Sequence, residues 1–219
     1  MHKKNSITAG KAIKEAGKVL IMVHGRGGSA EDILSLSEHL HVDDFALVAP
    51  QATNHSWYPQ SFLASPAANA PWLDSALELL KSLVEEIVAA GISKEKIYFL
   101  GFSQGACLTL EFVTRHAARY GGVVAFTGGL IGDAIRLENY QGDFYHTPVL
   151  IATSDPDPHV PVERVYASSN ILRSMHAEVT EKVFSNMGHT ITPAEIDMAN
   201  TLIFQKKDMA GNTNNNGQT

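Results

Sequence analysis

In "IYFLGFSQGACLTL", Ile97 to Leu110, Ser103 stands two residues from a glycine on either side, where an apolar strand run gives way to a helix pattern. A serine hydroxyl becomes a nucleophile when a base removes its proton, and the base needs an acid to orient it. The chain supplies both further on. "PVLIATSDPDPHVP" sets Asp155 and Asp157 just past an apolar run, and "EVTEKVFSNMGHTI" sets His189 in the equivalent place. Nucleophile, acid and base, each beyond the carboxyl end of a strand, are the parts needed for acyl transfer through a covalent intermediate. The two glycines have a steric reason: strand and helix approach each other too closely at such a turn for a Cβ at either position. A plain strand-to-helix turn is the bland reading, and the two partners weigh against it.

Asp155 and Asp157 compete as the acid. Val160 and Pro161 can anchor "DPHVP" while Asp157 points at His189, which favours Asp157; Asp155, directly before a proline, fits a turn cap. Ten histidines have to be separated. His39, His41, His116 and His176 fall at or near helix ends, where a solvated or dipole-facing ring is expected. His24 precedes a glycine-rich turn and is expected to pack beneath it. His159 is too near the acid in sequence to act as the base across the site. His55 is a candidate for the substrate pocket.

Acyl transfer also needs donors aimed at the developing oxyanion. One is expected from the backbone N–H of Gln104, directly after the nucleophile, and the other from Arg26 in "HGRGGSAED", His24 to Asp32. That loop fits neither of the common glycine-rich phosphate loops. The Arg26 side chain could attract an anionic substrate. Trp57, Tyr58, Phe62 and Leu63, on a long aperiodic stretch, are candidate pocket walls or covers for the edge of the core. Cys107, one turn past Ser103, reads as a small core hydrophobe.

These residues need a scaffold that brings strand ends together. Runs at Lys18 to Gly25, Phe45 to Pro50, Lys96 to Gly101, Gly122 to Gly128, Pro148 to Ser154 and Glu178 to Phe184 read as strands, most of them apolar on both faces. Helical patterns alternate with them. "SAEDILSLSEHL" opens with Ser29 and Asp32 in capping-box spacing, and "WLDSALELLKSLVEEIVAAG" can end at Gly91 in a left-handed cap. Further helices read at Gln104 to Arg119, Val162 to His176 and Pro193 to Lys206. The alternation implies an α/β fold, a doubly wound, mostly parallel sheet with helices on both faces. Residues 1–206 form one domain in this reading, and 207–219 a polar, disordered tail. Gln51 to Pro71, with three prolines and three aromatics, has no clear period. A connection of that length is expected to be functional or mobile.

The bulk properties exclude other classes. The 219 residues carry a formal charge of −6, which argues against nucleic acid as the main partner. No apolar run is long enough to span a bilayer, and the basic N-terminal stretch lacks the apolar core of a secretory signal. One cysteine permits neither an internal disulfide nor a cysteine-based zinc cluster, and the setting expected from these features is the cytoplasm.

Taken together, "HGRGGSAEDI", "WYPQSF", "GFSQGA", "DPHVP" and "MGHTI" resemble the phospholipase/carboxylesterase family of the α/β-hydrolases, which includes the acyl-protein thioesterases. The likeness covers roughly Lys18 to Phe204. It implies the α/β-hydrolase fold, a serine carboxylesterase acting without metal or cofactor, and a small-molecule ester as substrate. It also implies Ser103 as nucleophile, Asp157 as acid, His189 as base, and N–H groups of Arg26 and Gln104 at the oxyanion. Some relatives form dimers, so a homodimer is among the expected partners. Acyl-protein thioesterases typically carry an apolar residue where Arg26 stands, so the first loop looks like the smaller bacterial esterases. Small to medium acyl esters are therefore the expected substrates. Thioesterase or lysophospholipase activity at the same site is the alternative, and a hydrolase-fold ligand-binding protein is the alternative from another class.

Overall fold

Apolar residues on both faces of a strand can be buried only if helices cover both sides of the sheet. The computed structural model, which describes residues 1–205, has this arrangement. Seven strands, β1 (Ser6–Gly10), β2 (Lys18–Val23), β3 (Phe45–Pro50), β4 (Ile97–Phe102), β5 (Gly122–Phe126), β6 (Pro148–Asp155) and β7 (Glu178–Ser185), form one sheet in the order β1-β3-β2-β4-β5-β6-β7. All neighbours run parallel except β1, which pairs antiparallel with β3. The helices are α1 (Ala30–Ser35), α2 (Pro66–Asn69), α3 (Trp72–Ala89), α4 (Gln104–Arg115), α5 (Val162–Ser174) and α6 (Pro193–Leu202).

Side chains along each strand alternate between two cores. Val19, Ile21, Val23, Ile97 and Phe99 join one core with Leu80 and Val84 of α3, Leu108 and Phe112 of α4, and Val165 of α5. Leu20, Met22, Leu100, Val124 and Leu150 join the other with Ile33 of α1 and Ile196 and Ala199 of α6. Local signals set several helix boundaries. Ser29 Oγ accepts from Asp32 N (3.1 Å) and Asp32 Oδ2 accepts from Ser29 N (2.8 Å), the capping box expected at α1. Gly91 follows α3 at φ +98°, the left-handed cap.

Three helices are shorter than their patterns. α4 stops at Arg115 because His116 turns to φ −123°, ψ 44°; α5 stops at Ser174, with His176 already left-handed at φ 62°; α6 stops at Leu202. The twelve residues from Ser29 divide into α1 and a 3₁₀ turn at Leu36–His39. β1 was not legible as a strand: only five residues long and largely exposed, it gains its structure from the free edge of β3. The expected polar tail, 207–219, lies outside the described residues.

The sheet order is what builds a site. From β2 the chain steps outward to β3, then crosses back to β4 on the other side of β2. The loops after β2 and β4 therefore part at their carboxyl ends, the place where open α/β sheets hold ligands. The loops after β6 and β7 lie on the same edge.

Candidate active site

Ser103 stands between β4 and α4 with φ 53° and ψ −119°, a strained conformation for a residue with a side chain. The flanking glycines allow it. A Cβ on Gly101 would lie 2.5 Å from the carbonyl oxygen of Gly105, and one on Gly105 would overlap Val23 O and lie 2.5 Å from His24 O. The turn thus packs against both its own helix and the loop leaving β2. It is pinned by Ser103 N donating to Phe126 O (2.9 Å) on β5.

The turn presents Ser103 Oγ 2.8 Å from His189 Nε2, and His189 Nδ1 lies 2.8 Å from Asp157 Oδ2. A carboxylate can only accept, so Nδ1 carries the proton and Nε2 is the free base facing the serine. The other carboxylate oxygen, Asp157 Oδ1, accepts from the backbone N–H groups of His159 and Val160 (2.8 Å each). Burial alone would raise the Asp157 pKa, but these two bonds and the one from His189 outweigh it and hold the carboxyl below its ordinary value. Asp155 is exposed instead, its carbonyl accepting from Asn186 N (3.0 Å). Of the two aspartates, the structure brings Asp157 to the histidine.

A residue that no motif marks ties the two loops together. Ser154, at the end of β6, is fully buried, and its Oγ accepts from Met187 N (3.0 Å) and Gly188 N (3.1 Å). It fixes the histidine loop to the acid strand. His189 also packs against Phe102 (ring centroids 5.3 Å apart) and edge-on against His159 (4.8 Å).

A cavity of about 410 Å³ opens beside Ser103 and His189. Arg26, Tyr58, Phe62 and Gln104 line it, as do the unforeseen Pro59–Ser61, Cys107, His159 and Val160. Trp57 and His55 do not. Trp57 is fully buried, its indole N–H donating to His24 O (2.8 Å), because the ring fills the space beneath the β2 loop. His55 is exposed and its Nδ1 bonds Gly28 O (2.8 Å). Tyr58 is 1% exposed and its hydroxyl is desolvated, which drives its pKa well up; the ring contributes to the wall. His24 lies beneath the loop as expected, accepting from Ala52 N at Nε2 (3.1 Å) with Nδ1 against Gly25 O (2.7 Å). Burial lowers its pKa and keeps it neutral.

The side chains of both expected oxyanion residues are occupied elsewhere. Arg26 donates to Ser56 Oγ (3.0 Å), Pro59 O (3.0 Å) and Gln60 O (2.7 Å), so its fork is spent on the cavity wall and not held out for an anionic substrate. Gln104 accepts from Trp57 N (2.9 Å) and donates to Tyr58 O (2.8 Å). Their backbone N–H groups are different: among the described residues, no backbone carbonyl accepts from either. Gly25 brings the first of them close, since a Cβ there would lie 3.4 Å from Ser103 Cβ. No group of three or more metal-ligating side chains occurs among the described residues.

The model of the phospholipase/carboxylesterase family matches residues 4–206, nearly the whole chain. The chain belongs to that family. It is a serine hydrolase of the carboxylic ester class. A crystal structure of a phospholipase/carboxylesterase from Dyadobacter fermentans DSM 18053 is 54% identical, with a TM-score of 0.92 over 93% of this chain and 98% of that one. Acyl-protein thioesterase 1 of Eremothecium gossypii is 28% identical over 210 residues, 84% of this chain and 85% of that protein. Acyl-protein thioesterase 1 of Gibberella zeae is also 28% identical, but the match spans 121 residues, half of that protein's length. No helix among the described residues is long and apolar enough to cross a membrane.

Proposed function

We propose that this family member hydrolyses small to medium acyl esters through an acyl-enzyme on Ser103. The observation that carries the reading is the hydrogen-bonded chain Ser103–His189–Asp157 opening on a cavity of about 410 Å³. His189 Nε2 takes the hydroxyl proton as Oγ attacks the ester carbonyl, then returns it to the departing alkoxide. Asp157 holds the ring and stabilises the imidazolium. The N–H groups of Arg26 and Gln104 receive the oxyanion. Water, activated by the same imidazole, then frees the acid.

Thioesterase or lysophospholipase chemistry would use the same atoms, and the acyl-protein thioesterase relatives favour it as the second reading. A non-catalytic ligand-binding protein would have no need of an assembled base. In this reading the setting is the cytoplasm, and sedimentation velocity tests for a homodimer. The deciding experiment is hydrolysis of p-nitrophenyl esters from acetate to palmitate with Ser103→Ala beside the parent. We expect a maximum at short to medium chains and a loss on the order of 10⁶-fold in the variant. A maximum at long chains would favour the second reading. Absence of turnover on every ester would leave a binding protein.

A further inference from the structure

His2 lies far from Ser103 in sequence and does not line the cavity, yet it is built into the cavity's support. Its Nδ1 accepts from Thr53 N (3.1 Å) and its Nε2 lies 2.8 Å from Trp57 O. An amide N–H only donates and a carbonyl only accepts, so the ring is the neutral tautomer protonated at Nε2. Burial lowers its pKa and favours that form. The imidazole sits between the chain's two tryptophans, with centroids 5.3 Å from both Trp57 and Trp72, and its own backbone N–H donates to Ser75 Oγ (2.9 Å) on α3.

Trp57 is where this support reaches the site. Its N–H goes to Gln104, its indole N–H to His24 O, and its carbonyl to His2. The next five residues, Tyr58 to Phe62, all line the cavity. Gln104 and Arg26 grip that wall from the catalytic side, and His2 grips the same stretch from behind. The Thr53 bond closes the clamp across the 3₁₀ turn Thr53–His55 that leads into it.

We propose that His2 is a positioning residue for the substrate pocket: by bridging Thr53 N–H and Trp57 C=O it fixes the Tyr58–Phe62 wall and so governs how longer acyl groups bind. This rests on the esterase reading above. A wall displaced behind the cavity changes binding of a chain that reaches it and leaves the attack on a small acyl group alone. The effect is therefore read as a split between KM and kcat that grows with acyl length.

The test compares the parent with His2→Phe, which keeps the ring between the tryptophans and deletes both hydrogen bonds, and with His2→Gln, whose amide can again donate to Trp57 O. Kinetics are measured on p-nitrophenyl acetate, butyrate and hexanoate. For His2→Phe we expect KM on hexanoate to rise about tenfold, the scale of two lost hydrogen bonds, with kcat on acetate within about twofold of the parent. His2→Gln should recover part of the hexanoate KM. Equal kinetics at every length in both variants would overturn the proposal, and so would a fall in kcat independent of acyl length. Should His2→Phe not fold, His2→Leu, which also lacks both hydrogen bonds, takes its place: a KM that rises more on hexanoate than on acetate would support the bridge, and a hexanoate KM equal to the parent's, or a rise equal on both esters, would overturn it. A parent inactive on all three esters would overturn the esterase reading itself, a result visible before any variant is made.

Discussion

The turn at Ser103 and the wall from Tyr58 to Phe62 face each other across one cavity, but they are held in different ways. The turn is shaped by what is missing: no Cβ at Gly101 or Gly105, where one would strike Gly105 O or Val23 O. The wall is shaped by what arrives: the side chains of His2, Arg26 and Gln104 hold the backbone from Trp57 to Gln60, and the His24 carbonyl accepts from the Trp57 indole. Steric exclusion acts between residues close in sequence or on adjacent strands. Polar support of an irregular segment has to come from wherever the fold brings a donor or acceptor, since a buried loop cannot satisfy its own backbone groups. On the proposed reading, chemistry falls to the locally specified turn and substrate fit to the wall assembled over distance.

Substitutions can break that division or sharpen it. The largest effect within the site, after loss of the nucleophile itself, is expected at the acid. Asp157→Asn should lower kcat on the order of 10⁴-fold, whereas Asp155→Asn, at an exposed carboxylate, should stay within about twofold. Equal losses would mean that the acid had been misassigned. Asp157 also has a pH signature. Its folded pKa is depressed below the ordinary 3.8, so the stability it contributes is present above that value and is lost as pH falls through it towards the folded pKa. The melting temperature of the parent should therefore drop more steeply than that of Asp157→Asn over this acid range. Parallel curves would contradict the linkage.

Gln104 belongs to both regions, with its backbone at the turn and its amide in the wall. Gln104→Ala keeps the N–H beside Ser103 and removes the bonds to Trp57 and Tyr58. KM for butyrate or hexanoate esters should rise about tenfold, with a smaller change in kcat. A kcat loss that exceeded the KM change would show that wall and turn are mechanically one unit. The smallest effect is expected at Cys107. It lines the cavity, yet burial pushes its thiol up to about 12, so almost no thiolate exists near neutral pH. Iodoacetamide at pH 8 should leave esterase activity intact, and inactivation in step with alkylation would show that the thiol is open to the cavity.

The same contrast explains what could be read from the chain. β2 to β7 were legible because their residues are apolar on both faces, and Ser103, Asp157 and His189 because each follows such a run. The meeting of those three needed only the rule that parallel strands share a carboxyl edge. The wall was not legible in this way. Trp57, Tyr58 and Phe62 stand within six residues and are all aromatic, but one fills the core and two face the cavity, and nothing in "SWYPQSF" separates them. The motif "GFSQGA" points only to the backbone of its glutamine, and the side chain's grip on Trp57 depends on a partner 47 residues away. β1 and His2 carry no local signal because their partners, β3 and the Thr53 turn, lie roughly forty to fifty residues on.

The position of β7 at the sheet's outer edge also has a consequence in time. A chain made from its amino end completes Ser103 and its turn long before His189 exists. From β4 onward the strands lie side by side in the order in which they are made, β4-β5-β6-β7, and the histidine loop follows the last of them. Until that strand docks beside β6, Ser103 carries an ordinary alcohol with no base within reach. On the proposed mechanism a chain without β7 in place has nothing to activate Ser103 against an ester, and esterase turnover becomes a report that this strand has docked.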